Sequence, residues 1–561
     1  MGEALEVVDP GDGPLEGLVS VPWAGGDPPL SARSPTVAWI PNSYSDGGVL
    51  VGYTVDDGTG QPLSAWSFKP TWQSSAAWAG SDGEHLASND ALLPWPSPVD
   101  ARNNHPELPQ ADWDYSGVAE VASGAMPGVG VLANYAWVPD SQEPPYNRFQ
   151  EVVIVTGLQA AIHGPHFLPV QAHALTWPLT EETETGPVTY ASGGGVTPGS
   201  VDIALAVNKH QFEKEPYVVG RTFYVVWENR KELDEKSAEY FGWWLVWVGV
   251  GPDGTSTIGE PQRLDFIPYG SYVSVGSRLG AMGERVVELA WATVDGVPPT
   301  CPSTETVEVS WYHAVSTNEG ELTCVNEPCS GTALGVGETL VDTDPHYRFC
   351  VGQSDEATGE ITSPRPELAF DDLGEMEHGR QRRFLAYPRS DASGARMMIR
   401  VRRDNFAFGD PAGAQPLPTF AWQKVFDTTG EGDAFAPVLH VSPGRMFSEA
   451  LFPLHELDEH AAVGLLYRQI DDVGMVRVNT AHSNESGDPS TWRIDPGSTI
   501  SRSAATETFA QRQGLTAMPR CMEVEACPEP AIDTLWYGVW TDERDGSSAQ
   551  IYGATFANGG D

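Results

Sequence analysis

Apolar residues gather in short runs along the chain, separated by turns rich in Gly and Pro, and amphipathic helical stretches are scarce. Runs of this length between turn signals predict strands and an all-β fold. Seven runs look alike: GGVLVGYTVDDG, GVLANYAWVPD, TFYVVWENR, VVELAWATVDG, RRFLAYPRSD, AVGLLYRQIDD and LWYGVWTDERDG. Each is an apolar strand that ends on an aromatic residue and then enters a polar, turn-like segment. The seven aromatic markers are Tyr53, Trp137, Trp227, Trp291, Tyr387, Tyr467 and Trp540. Several runs continue into a further strand, as at Gly242 to Gly254, Thr306 to Val315, Arg396 to Asp404 and Ala549 to Phe556.

The markers are 84, 90, 64, 96, 80 and 73 residues apart, a spacing that never doubles or halves. Repeated sheets with loops of variable length behave this way. The runs are apolar on both faces instead of alternating, so each strand expects a neighbour on either side. A single sandwich core rarely grows past about 300 residues, whereas radial repetition accommodates a chain of 561. The expected architecture is one all-β propeller domain over residues 1–561. About seven four-stranded blades are expected, with six and eight as the neighbouring counts. LEGLVSVPWA, Leu15 to Ala24, reads as a strand within an N-terminal arm (1–30) that completes the last blade and closes the ring.

Charge changes the picture of partners. The formal net charge is −45, and only six of the 32 basic residues are Lys. A field of that sign repels phosphate backbones and anionic lipid surfaces. No run approaches the roughly twenty apolar residues of a membrane helix. Six cysteines, Cys301, Cys324, Cys329, Cys350, Cys521 and Cys527, are an even set without a CxxC pair. Disulfides suit them better than zinc, which places the chain outside the cell, in a periplasm or on a cell surface. The first thirty residues hold no apolar leader segment, so an exported chain is expected to start after its leader, with Met1 an added residue.

The last hairpin, WTDERDG followed by QIYGATF, resembles the sialidase-like or BNR (Asp-box) repeat propellers. SNESGDPSTW adds a degenerate Asp-box: Ser483, Glu485, Gly487 and Trp492 match, with Glu in the Asp place and two extra residues before the Trp. In that family such boxes are structural turns lying away from the active face, so the resemblance speaks for fold. The family's catalytic set has no evident copy. An early Arg-aliphatic-Pro motif is missing, and no nucleophilic Tyr with a Glu partner can be placed.

Four candidates for chemistry remain. Arg230, Arg389, Arg468 and Arg544 follow their marker aromatics and are expected on one rim, where guanidinium forks could grip a carboxylate or sulfate. The competing reading pairs them with nearby acids, Glu228, Asp391, Asp471 and Asp542. His163, His166 and His173 are close enough for zinc or copper, or else cap turns. LHELDEH puts His455 and His460 five apart, which a zincin helix excludes. Trp72 and Trp78 lie in a polar loop and could stack on sugars, or pack between sheets. Asp-rich turns leave room for one structural Ca²⁺, and no cofactor is required.

These features lead to a secreted or surface-held, monomeric propeller that recognises a glycan or protein through its rim loops without catalysis. The alternative is a sialidase-like glycan-active hydrolase or lyase. A weaker third reading is a metal-binding propeller.

Overall fold

A computed structural model describes thirty strands between Glu16 and Ala557, with short connections, chiefly 261–271, 296–300, 303–305 and 364–366. Side chains are described at Pro35, Val37, Val49 and Val51 and, from residue 223 onward, within most of the strands and connections. Every described element is a strand, and every pairing between them is antiparallel, as in Arg285–Asp295 with Thr306–Val315 and Arg380–Asp391 with Gly394–Asn405. None of the described residues forms a helix long and apolar enough to cross a membrane.

The strands form seven meandering sheets in chain order, plus a separate hairpin of Pro178–Thr183 with Gly186–Ala191. Sheet one joins Ser31–Asn42, Ser45–Asp56, Leu63–Lys69 and Ala79–Gly80. Sheet two joins Asp114–Val118, Val129–Pro139, Arg148–Ala160 and His166–Ala174. Sheet three joins Val201–Ala206, Arg221–Asn229, Gly242–Val250 and Ser256–Ile258, with Gln262–Arg263 also on Gly242–Val250. Sheet four joins Tyr272–Leu279, Arg285–Asp295, Thr306–Val315 and Thr339–Arg348. Sheet five joins Glu367–Asp371, Arg380–Asp391, Gly394–Asn405 and Gln423–Asp427. Sheet six has three strands, Asp433–Val441, Val463–Ile470 and Val476–Ser483. Sheet seven joins Gly514–Pro519, Thr534–Asp542 and Gln550–Ala557, and its fourth strand is Glu16–Leu18, from the far end of the sequence.

Each of the seven aromatic markers sits on the second strand of its sheet. Where side chains are described, these strands are buried on both faces: residues 223–228, 287–292, 383–388, 463–468 and 536–542 are all inaccessible. The third strand of sheet four, by contrast, begins with strict alternation of exposed and buried residues. The difference is one of position, because a second strand has a neighbouring sheet above and below it.

Four shared cores show the stacking. Tyr224, Trp243 and Leu245 of sheet three meet Val275, Leu289 and Trp291 of sheet four. Trp311 and Tyr347 of sheet four meet Leu385 and Tyr387 of sheet five. Ile399 and Phe426 of sheet five meet Leu465 and Tyr467 of sheet six. Leu466 and Val478 of sheet six meet Trp536 and Trp540 of sheet seven. The first strands of successive sheets touch in order from one to seven, and the first strand of sheet seven touches that of sheet one.

Buried polar groups tie the sheets together as well. Glu288 of sheet four accepts from Arg383 Nε of sheet five and pairs at 2.7 Å with His313 Nε2, all three fully enclosed. Trp422 packs its ring edge-on to His313 at 5.2 Å.

Two predictions follow from the core between sheets six and seven. Gly464 faces Trp536 so closely that a Cβ would lie 2.7 Å from the indole. Gly464→Ala should cost about 1–3 kcal/mol as overpacking, read as a lower urea midpoint; an unchanged midpoint would mean that Trp536 can move aside. His440 stands edge-on to the same indole at 6.1 Å, and burial lowers its pKa to about 4. The unfolded chain then binds a proton near pH 6.5 that the folded chain refuses until about pH 4. Stability from this group is complete above pH 6.5 and drains away as pH falls toward 4, at most on the order of 3 kcal/mol. His440→Gln should flatten the fall in melting temperature between pH 7 and 4.5; an identical fall in both proteins would refute this role.

Candidate functional site

The first strand of each sheet runs antiparallel to the second, so first strands begin where second strands finish. Contacts between sheets show that this end, the front, is shared. Gly270, just before sheet four, donates its N–H to Glu228 Oε1 near the end of sheet three's second strand, at 2.6 Å. Leu368 N donates to Ser274 Oγ, near the starts of sheets five and four, at 3.2 Å. Ala395 N donates to Asp433 Oδ1 between sheets five and six at 2.6 Å. Gln513 Nε2 donates to the Ala436 carbonyl between sheets seven and six at 2.7 Å.

The front end between sheets three and four is built by a tight turn. Ser271 N donates to the Pro268 carbonyl at 3.2 Å, and Gly270 at the third position has φ of 77°. A positive φ there is the signature of a type II turn and calls for Gly. The turn stands on Phe266, which packs against Trp291, itself stacked on Tyr312. Glu228, only 2% exposed, holds the turn by its Gly270 N–H, and the turn presents Tyr269 outward with 58% of its surface exposed. The result is an accessible aromatic ring one residue from the N–H that a buried carboxylate grips.

Arg468 and Asp542 are also buried at the front, near the ends of the second strands of sheets six and seven. Arg468 Nη2 donates to the Thr541 carbonyl at 3.5 Å, so this arginine spans two sheets from inside. Arg389, by contrast, is 40% exposed and lies 3.2 Å from Asp342 Oδ2 of sheet four. Its described partner is therefore a residue far away in sequence and not the adjacent Asp391. The two arginines share an end of the molecule but stand in different interfaces, and they do not converge.

Asp342 Oδ2 also accepts from Tyr387 Oη and Arg400 Nη2, each at 2.8 Å. Tyr387 is thus a tyrosine with a carboxylate partner, but burial raises its pKa well above the usual phenol value. Burial likewise pushes Tyr467 up to about 12 and Tyr537 higher still. All three rings are buried, so none is within reach of a substrate at the surface.

Ser483 ends the third strand of sheet six, buried, at the end opposite Arg468. Trp492 packs on Phe426 at 4.9 Å, as part of the core between sheets five and six. Of the box-like segment, Ser483 therefore lies on the far side from the front, and Trp492 contributes to the core between sheets five and six. Its Glu485 and Gly487 lie outside the described residues, as do Arg230, Arg544, Trp72, Trp78, His163 and all six cysteines. His166 and His173 belong to the strand His166–Ala174, and their side chains are not among those described. No group of three or more metal-ligating side chains occurs among the described residues.

No protein-family model and no curated protein matches the sequence. Among solved structures, the chain is similar to a Trypanosoma rangeli sialidase in complex with sialic acid, with TM-score 0.35 and 9% identity, over 84% of this chain and 59% of that one. It is similar to an α-L-arabinofuranosidase from Fusarium graminearum, with TM-score 0.35 and 9% identity over 81% of this chain and 93% of that one. A third is the NanB sialidase of Streptococcus pneumoniae, with TM-score 0.33 and 9% identity over 94% of this chain and 68% of that one. The chain spans less than two thirds of the length of the first. These are two kinds of enzyme, and at TM-scores of this size neither activity carries over.

Proposed function

We propose that the seven sheets are the blades of a single β-propeller, and that the chain takes a glycan at the front end and hydrolyses it as a sialidase-like, glycan-active enzyme. The observation that carries this reading is the exposed Tyr269 on a turn gripped by buried Glu228. An accessible aromatic ring stacks on the apolar face of a sugar. A carboxyl group enclosed beside it is the type of side chain that protonates a glycosidic oxygen. Hydrolysis needs a second carboxylate, and Asp542 is a further buried acid at the same end. The protein would work outside the cell or at its surface, as a monomer.

A second reading, recognition of a glycan or protein without turnover, is favoured by two facts. Arg389 and Arg468 are both engaged within the fold, and Tyr387 is buried away from solvent with its hydroxyl donated to Asp342.

Aryl glycosides, including sialosides and arabinofuranosides, separate the two. The enzyme reading expects aglycone release that falls by at least 10²-fold in Glu228→Gln, which keeps an oxygen for Gly270 N–H. Tyr269→Ala should raise KM with a smaller effect on kcat. Binding of a glycan by the wild-type chain, with no release from any member of the panel, would establish the recognition reading instead.

A further inference from the structure

The hairpin of Arg380–Asp391 with Gly394–Asn405 holds eight arginines and two aspartates in a chain of net charge −45. Its register sets like charges directly opposite one another three times: Arg382 with Arg403, Arg383 with Arg402, and Arg389 with Arg396. The next strand adds a fourth pair, Arg400 with Lys424. Opposed like charges destabilise a sheet, and an anion placed between them relieves the repulsion.

The protein supplies part of that compensation. Arg383 is enclosed with Glu288. Arg389 and Arg400 converge on a single oxygen, Asp342 Oδ2. Lys424 Nζ lies 2.5 Å from Asp427 Oδ2, and Arg396 Nη1 is 3.9 Å from the other oxygen of the same carboxylate. Among the described residues, four cations thus face Asp342 and Asp427 in the seam between sheets four and five, where Asp344 is a third, buried carboxylate that accepts from the N–H groups of His346 and Ser390. Arg389 is 40% exposed and Lys424 52% exposed, so both can reach a ligand.

We propose that this seam is a binding subsite for the acidic groups, carboxylate or sulfate, of an anionic polysaccharide. It rests on the glycan reading above and extends it by naming the charge of the chain bound. The seam lies between the fourth strand of sheet four and the second to fourth strands of sheet five, in a different interface from the Tyr269 turn between sheets three and four. Arginine forks suit both kinds of anion. The net charge of the whole molecule is screened beyond about 8 Å at physiological ionic strength, so a ligand there meets the local surplus of positive charge.

The test measures binding of dextran sulfate, alginate and neutral dextran at about 0.15 M salt and above. The Glu228→Gln chain serves as host, so binding is scored without cleavage and independently of whether the hydrolase reading survives. Binding of either anionic polymer, and not of dextran, is expected. The double variant Arg389→Gln with Lys424→Gln should bind at least tenfold more weakly. Its slope of log affinity against log salt should fall by about two, one for each cation removed. Its melting temperature should change little, since both groups are partly exposed and ion pairs of that kind contribute little to stability. Which polymer binds tells sulfate from carboxylate. Absence of binding to both anionic polymers overturns the proposal, as does an unchanged affinity and slope in the double variant. Equal binding of poly-glutamate would assign the seam to an acidic protein and overturn the glycan assignment.

Discussion

The structure depends on one constraint: the second strands of sheets three to seven are buried on both faces. A strand of that kind leaves water only if a sheet lies on each side of it. Stacking sheets in a row satisfies this for the inner members and leaves the two outermost faces wet. Bringing the last sheet against the first removes both faces at once. The contact of sheet seven with sheet one, with a Cβ on Gly514 falling 2.8 Å from Val37, is the geometric expression of that requirement.

Charge is handled differently in different interfaces. Between sheets four and five, Glu288 is enclosed with two basic side chains, an arrangement that contributes little net stability but is costly to break from one side. Nearer the surface of the same interface, Asp342 serves three donors through one oxygen. Between sheets three and four, Glu228 is spent on a backbone N–H of a surface turn. The first arrangement ties two sheets together from inside, and the last holds a turn at the surface.

Much of the fold was legible in the sequence. The seven marker residues, Tyr53 through Trp540, fall one to a sheet and on the same strand of each, because a strand sandwiched between neighbours leaves a distinct apolar signature. The site was less legible. Arg389 and Arg468 were visible as arginines after an aromatic, but one is 40% exposed and the other fully enclosed, a difference set by neighbouring sheets and absent from local sequence. Glu228 was readable only as a nearby acid for Arg230. Its actual bond, to Gly270, closes a gap of 42 residues. The tripeptide Pro268-Tyr269-Gly270 carries a turn signal in its Pro and Gly, but the exposure of Tyr269 at its centre is set by the packing around the turn. Pairings such as Arg383 with Glu288, 95 residues apart, have no local signature at all.

The short strand Glu16–Leu18 has a consequence for how the molecule comes into being. It pairs with Tyr552, Gly553 and Ala554, near the other end of the chain. Sheet seven is therefore complete only once Glu16 has met Ala554, whereas sheets one to six form from strands that follow one another in the chain. The two halves of that pairing have no local contact to bring them together, and any agent that captures either Glu16–Leu18 or Gln550–Ala557 first leaves sheet seven one strand short.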